Sequence, residues 1–128
     1  MSSLLSGRRL LIVEDEMLVL MQIEMTLQEL GCSEICACAN ITQALELLAS
    51  HPFDAAIVDV NLSGEKSYPV ADALAQLGIP FVFSTGYSDH GDRADLEDRP
   101  VLRKPYTRAA LVRVLEWLAP DTPLPVVA

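Results

Sequence analysis

A chain of 128 residues holds enough material for one domain with a real core and too little for two. Hydrophobic residues make up 51%, which excludes a disordered chain, while no apolar run approaches the length of a membrane span. The formal charge of −9, from 18 acidic and 9 basic residues, argues against nucleic acid, which demands basic patches.

The N-terminus up to Arg9 has a short apolar pair but no signal-peptide core. Leu10–Glu14 is the first predicted strand. Glu16 to Leu30 is a helix with Val19, Ile23, Leu27 and Leu30 as its core stripe and Gly31 as its C-terminal cap. Ser33–Ala39 is a weaker strand. Asn40 with Gln43 forms a capping box that opens a helix burying Ile41, Ala44, Leu45 and Leu48, and His51-Pro52 ends it. Asp54–Asp59 is the third strand and Asn61–Tyr68 a loop. Pro69 suits the first turn of the helix Val70–Leu77, which Gly78 closes. Pro80–Thr85 and the short Val101–Arg103 are further strands, and Thr107–Leu118 is the last helix, with Leu111, Val114, Leu115 and Leu118 inward. Between them, residues 88–99 carry seven charges and only Ala94 and Leu96 as apolar anchors, so a short or mobile helix is expected there.

Short continuous apolar runs read as strands buried on both faces, and their alternation with helices implies a parallel sheet covered on both sides. Ligands in such sheets bind beyond the carboxyl ends of the strands. Four polar groups stand at those ends: Glu14-Asp15, Asp59, Thr85 and Lys104. Three carboxylates against one ammonium leave an excess of negative charge. Two carboxylates about 4 Å apart repel by roughly 4 kcal/mol at an effective dielectric of ~20, so the cluster must take up a proton or a cation. Oxygen ligands with an open shell suit Mg²⁺. A lysine and a hydroxyl beside them suit a phosphoryl group, with Asp59 as a candidate nucleophile.

Glu14-Asp15, Asp59, Thr85 and Lys104-Pro105, in this order and spacing, resemble the receiver domain of bacterial two-component response regulators over about residues 8–118. Phe83-Ser84-Thr85-Gly86-Tyr87 resembles the Phe-Ala-Thr-Gly-aromatic-Tyr signature of a single-domain receiver subgroup from alphaproteobacteria, matching its Phe…Thr-Gly-Tyr core. The resemblance implies a flavodoxin-like, doubly wound α/β fold with a five-stranded parallel sheet in the order 2-1-3-4-5. It implies that Asp59 accepts a phosphoryl group from a phosphohistidine of a sensor histidine kinase or histidine phosphotransferase. Mg²⁺, or Mn²⁺ in its place, would be held by Asp15, Asp59 and the backbone carbonyl of Asn61, with Glu14 acting through water. Thr85 and Lys104 would bind the phosphoryl oxygens. Where most receivers carry a switch aromatic, three residues before the lysine, this chain has Val101, so Gly86 and Tyr87 are expected to transmit movement of Thr85 to residues 88–99.

On this reading residues 1–8 are an extension, 9–118 the receiver and 119–128 a proline-rich tail, with no output domain. The protein would be a cytoplasmic, stand-alone phosphoacceptor that signals to a downstream protein target. It would catalyse only its own phosphorylation and dephosphorylation. Two rivals are a degenerate receiver serving as an interaction module and a Mg²⁺-dependent aspartyl phosphohydrolase. The second is disfavoured because haloacid-dehalogenase-like enzymes place an aspartate two residues after the nucleophile, where this chain has Asn61. Met17, Met21 and Met25 form a row away from the helix core stripe, and with Trp117 they are candidates for a partner face. Cys32, Cys36 and Cys38 read as small, wholly or partly buried thiols.

Overall fold

A computed structural model describes residue 5, residues 7–85, 101–104 and 106–118, apart from the side chain of Trp117. Gly86, Tyr87, the 88–99 segment, the 119–128 tail and the Trp117 side chain therefore lie outside the described residues, along with the expectations attached to them.

The elements follow in chain order as β1 (Arg9–Val13), α1 (Met17–Glu29), β2 (Glu34–Cys38), α2 (Ile41–Ser50), β3 (Ala55–Asp59), β4 (Asn61–Leu62), β5 (Glu65–Lys66), α3 (Tyr68–Gln76), β6 (Phe81–Thr85), β7 (Val101–Arg103) and α4 (Arg108–Leu118). Five strands form one parallel sheet in the order β2-β1-β3-β6-β7. Counting only the strands of this sheet, that is the 2-1-3-4-5 order of the flavodoxin-like fold.

Side chains alternate between the faces of a strand, and here both faces are covered. Leu10, Ile12, Ile57 and Val82 join Ile23 and Leu27 of α1 and Leu111 and Leu115 of α4 in one core cluster. Leu11, Val13, Ala56, Val58, Phe81 and Phe83 join Ala44 and Leu48 of α2 and Leu74 of α3 in the other. This is why the strands read as unbroken apolar runs. Phe81 and Phe83 stack edge to face at 5.5 Å, and Tyr68 meets Phe83 at 6.3 Å. Leu5 is also buried in the first cluster, and its N–H donates to the Leu30 carbonyl. The packed unit thus includes a residue upstream of β1.

Local chemistry sets the helix ends. Asn40 accepts from the Gln43 N–H at 2.8 Å, as a capping residue should, while the Gln43 side chain reaches one residue further back, to the Ala39 N–H at 3.2 Å. Gly31, at φ 95°, closes α1: its N–H bonds Gln28 and the next N–H bonds Leu27, the paired bonds of a Schellman cap.

Two expectations are corrected. Leu45 is 36% exposed, and Leu47 packs on the second cluster in its stead. The Asn61–Tyr68 segment is not a plain loop. It contains a two-stranded hairpin, β4 with β5, turned by Ser63 and Gly64 at φ 54° and 93°. Both central residues of such a turn need positive φ, which glycine adopts freely and serine only at a cost.

Candidate functional site

Parallel strands end together, so the residues that follow β1, β3, β6 and β7 converge on one edge of the sheet. Backbone bonds continue past the strands and hold these ends in place. The Glu14 N–H donates to Cys38 O at 3.0 Å, Val60 N–H to Ser84 O at 2.9 Å, and Lys104 N–H to Thr85 O at 2.9 Å.

Asp59 and Glu14 are each 2% exposed. Lys104 joins them. Its ammonium donates to Asp59 Oδ2 at 2.9 Å, to Glu14 Oε2 at 3.0 Å and to Glu16 Oε1 at 2.9 Å. The other Asp59 oxygen accepts from the Asn61 N–H at 3.1 Å. The Asp59 carbonyl accepts from the buried Ser67 hydroxyl at 2.6 Å. Ser67 is the N-cap residue of α3, yet its hydroxyl makes no cap bond; that bond ties the start of α3 to the aspartate strand. Asp15 Oδ2 accepts from both the N–H and the hydroxyl of Ser63, at 3.0 and 2.9 Å, which joins the β1–α1 connection to the hairpin. A pocket of about 310 Å³ opens here, lined by Asp15, Glu16, Asp59, Asn61, Ser63, Gly64 and Lys104. Thr85 is buried at the end of β6, beside the strand that carries Asp59.

The electrostatics follow from burial. Desolvation, then the charge of Asp59, pushes the Glu14 carboxyl up to about 7, against the pull of Lys104 and the Glu16 N–H. Burial also raises Asp59, opposed mainly by Lys104. Burial pulls Lys104 down, but hydrogen bonds to Asp59, Glu16 and Glu14 outweigh it and carry the lysine above its ordinary range.

Glu14, Asp15 and Asp59 each offer an oxygen within 4.8 Å of the others. Glu14 Oε1 is buried with no hydrogen-bond partner among the described residues. Hard oxygen donors, excess negative charge and an orphaned buried acceptor fit a Mg²⁺ ion with several open positions.

The sequence therefore brings Glu14, Asp15, Asp59, Asn61, Thr85 and Lys104 to one strand edge. Three contributors went unmarked. Glu16 looks like an ordinary helix start, and nothing ties it to Lys104, 88 positions away. Ser63 and Ser67 look like loop serines; Ser67 alone carried a signal, since it precedes a helix opened by Pro69. Met17, Met21 and Met25 are 66%, 48% and 59% exposed, next to Leu18 at 81%, so the row lies on open surface among the described residues. The three cysteines are free; Cys32 and Cys38 are buried, and burial lifts the Cys38 thiol to about 11.

The family model for the response regulator receiver domain matches residues 10–116, and the chain belongs to that family. The solution structure of SdrG from Sphingomonas melonis Fr1 is 44% identical, with a TM-score of 0.80, over 91% of this chain and 98% of that one. The receiver domain of the Pseudomonas aeruginosa PAO1 sensor histidine kinase PA1611, solved with a magnesium ion coordinated in its active-site cleft, is 25% identical. Its TM-score is 0.75 over 91% of this chain and all of that one (100%). The sensory transduction protein LytT of Bacillus subtilis (strain 168) is 30% identical over 112 residues, 84% of this chain but 46% of LytT. The chain thus spans less than half the length of that relative. Receivers are signalling proteins of two-component systems and not enzymes in the ordinary sense. No helix among the described residues is long and apolar enough to cross a membrane.

Proposed function

We propose that this receiver takes a phosphoryl group onto Asp59 from a phosphohistidine of a sensor histidine kinase or histidine phosphotransferase. In this reading it works in the cytoplasm and signals through protein contacts that depend on the phosphoryl group. The observation that carries the proposal is the buried Asp59 carboxylate, oriented by the Asn61 N–H and by the Lys104 ammonium within one pocket.

Asp59 supplies the nucleophile: one oxygen attacks phosphorus, a P–O bond forms, the P–N bond breaks, and its electron pair leaves with the imidazole. Asp15, Asp59 and the Asn61 backbone carbonyl would hold Mg²⁺, with Glu14 reached through water. Bound there, the ion supplies charge neutralisation for the carboxylates and the transferring oxygens. Lys104 balances charge on the phosphoryl product, and the Thr85 hydroxyl bonds one of its oxygens. The exposed Met17–Met21–Met25 row offers an adaptable apolar surface for the helical bundle of the donor protein.

The test uses phosphoramidate, a small donor with a P–N bond, together with Mg²⁺, followed by mapping of the label by mass spectrometry. One phosphoryl group on Asp59 is expected, and none in Asp59→Asn. Label that persists in that variant, or forms equally without metal, overturns the assignment.

A second expectation concerns the metal. An ion that binds only the folded state adds about 2.7 kcal/mol at 100 times its Kd. Thermal melts with rising Mg²⁺ should show that gain in the wild type and lose most of it in Asp15→Asn. An undiminished shift in the variant would put the metal elsewhere.

A further inference from the structure

Lysine has three ammonium hydrogens and no acceptor, and Lys104 has already committed all three. They go to Asp59 Oδ2 at 2.9 Å, Glu14 Oε2 at 3.0 Å and Glu16 Oε1 at 2.9 Å. A phosphoryl oxygen that arrives at Asp59 finds no free donor on this lysine. One partner has to leave. Glu14, with its side chain only 1% exposed, cannot turn to water without opening the core, and Asp59, 3% exposed, loosens its hold only once its own oxygen has formed the P–O bond. Glu16 is different: its side chain is 61% exposed and lines the pocket mouth beside Asp15 and Lys104. Releasing it sends its carboxylate into solvent at little cost, since exposed ion pairs are weak.

Resting on the phosphoacceptor reading above, we infer that Glu16 is a displaceable counter-ion of Lys104, holding the lysine in the unphosphorylated protein and competing with the phosphoryl group for it. Two consequences follow. Glu16 slows phosphorylation because its carboxylate must be pushed aside and because it adds negative charge where an anionic donor enters. It also helps to hold Lys104 over Asp59 while the pocket is empty. Its backbone has a separate duty, since the Glu16 N–H donates to Glu14 Oε2 at 3.1 Å; a change of side chain leaves that bond in place.

The experiment compares the wild type, Glu16→Gln and Glu65→Gln. Glu65 lies in the neighbouring hairpin, exposed, and serves as a control that removes one negative charge without touching Lys104. Phosphorylation by phosphoramidate with Mg²⁺ is timed, and beryllofluoride, a phosphoryl mimic, is titrated by NMR chemical shifts. Glu16→Gln is expected to react about twofold to fivefold faster and to bind beryllofluoride tighter by a similar factor, the range set by an exposed ion pair. Glu65→Gln should match the wild type in both. If Glu16→Gln behaves as the wild type, or Glu65→Gln gains as much, the counter-ion role is overturned. If none of the three proteins takes up phosphoryl or beryllofluoride, the phosphoacceptor reading has failed and the inference falls with it. Thermal unfolding of Glu16→Gln, which should change little, shows that the fold is intact.

Discussion

Lys104→Met is expected to destabilise the metal-free protein by about 3 kcal/mol, the low end of what breaking a buried ion pair costs. Methionine keeps much of the volume and removes the charge. Glu14 and Asp59 would then face each other in the core with no cation between them, while the Glu16 carboxylate simply returns to solvent. The chain can relieve this only by protonating one carboxyl, which limits the loss. Mg²⁺ should therefore restore more stability to the variant than it adds to the wild type, since the same carboxylates lose their internal cation. Urea unfolding in EDTA and then in Mg²⁺, at pH 7.5, reads both quantities. Equal stability in EDTA, or a smaller metal effect in the variant, would show that Lys104 does not balance this cluster.

The strands and the site were legible for the same reason. Strands covered on both faces must be apolar throughout, so Leu10–Val13, Ala55–Val58 and Phe81–Phe83 stand out, and a polar residue at the end of each is conspicuous. Where an element is short or half-exposed that contrast fades. The Asn61–Lys66 hairpin buries little, and its turn depends on Ser63 adopting positive φ, which the residue type does not announce. In α2, leucines at 45, 47 and 48 fit more than one helical face; the packing against α3 and the sheet decides that Leu45 stays outside. Glu16 and Ser67 were missed because their partners, Lys104 and the Asp59 carbonyl, are set by the fold and not by a local pattern.

The pH dependence of the metal-free protein should run opposite to ordinary acid denaturation over one window. A carboxylate stabilised in the folded state makes stability rise with pH. Glu14 is the reverse case: burial and the nearby Asp59 lift it from its ordinary 4.5 to about 7, and burial lifts Asp59 as well. The folded state then binds more protons than the unfolded chain between about pH 4.5 and 7, and stability must fall as pH rises through that range. The contribution of Glu14 is whole below its unfolded value and gone above about 7. The span corresponds to about 3 kcal/mol at most. Lys104, raised above its ordinary range, keeps its charge throughout and adds no slope there. Urea unfolding in EDTA at steps from pH 5 to 8 should show the decline, and Glu14→Gln should flatten most of it. Mg²⁺ must then act most strongly at the alkaline end, where the protons it displaces are already gone. A wild-type profile that rises from pH 5 to 8 in EDTA, or one that Glu14→Gln leaves unchanged, would mean that Glu14 is charged and satisfied in the empty pocket.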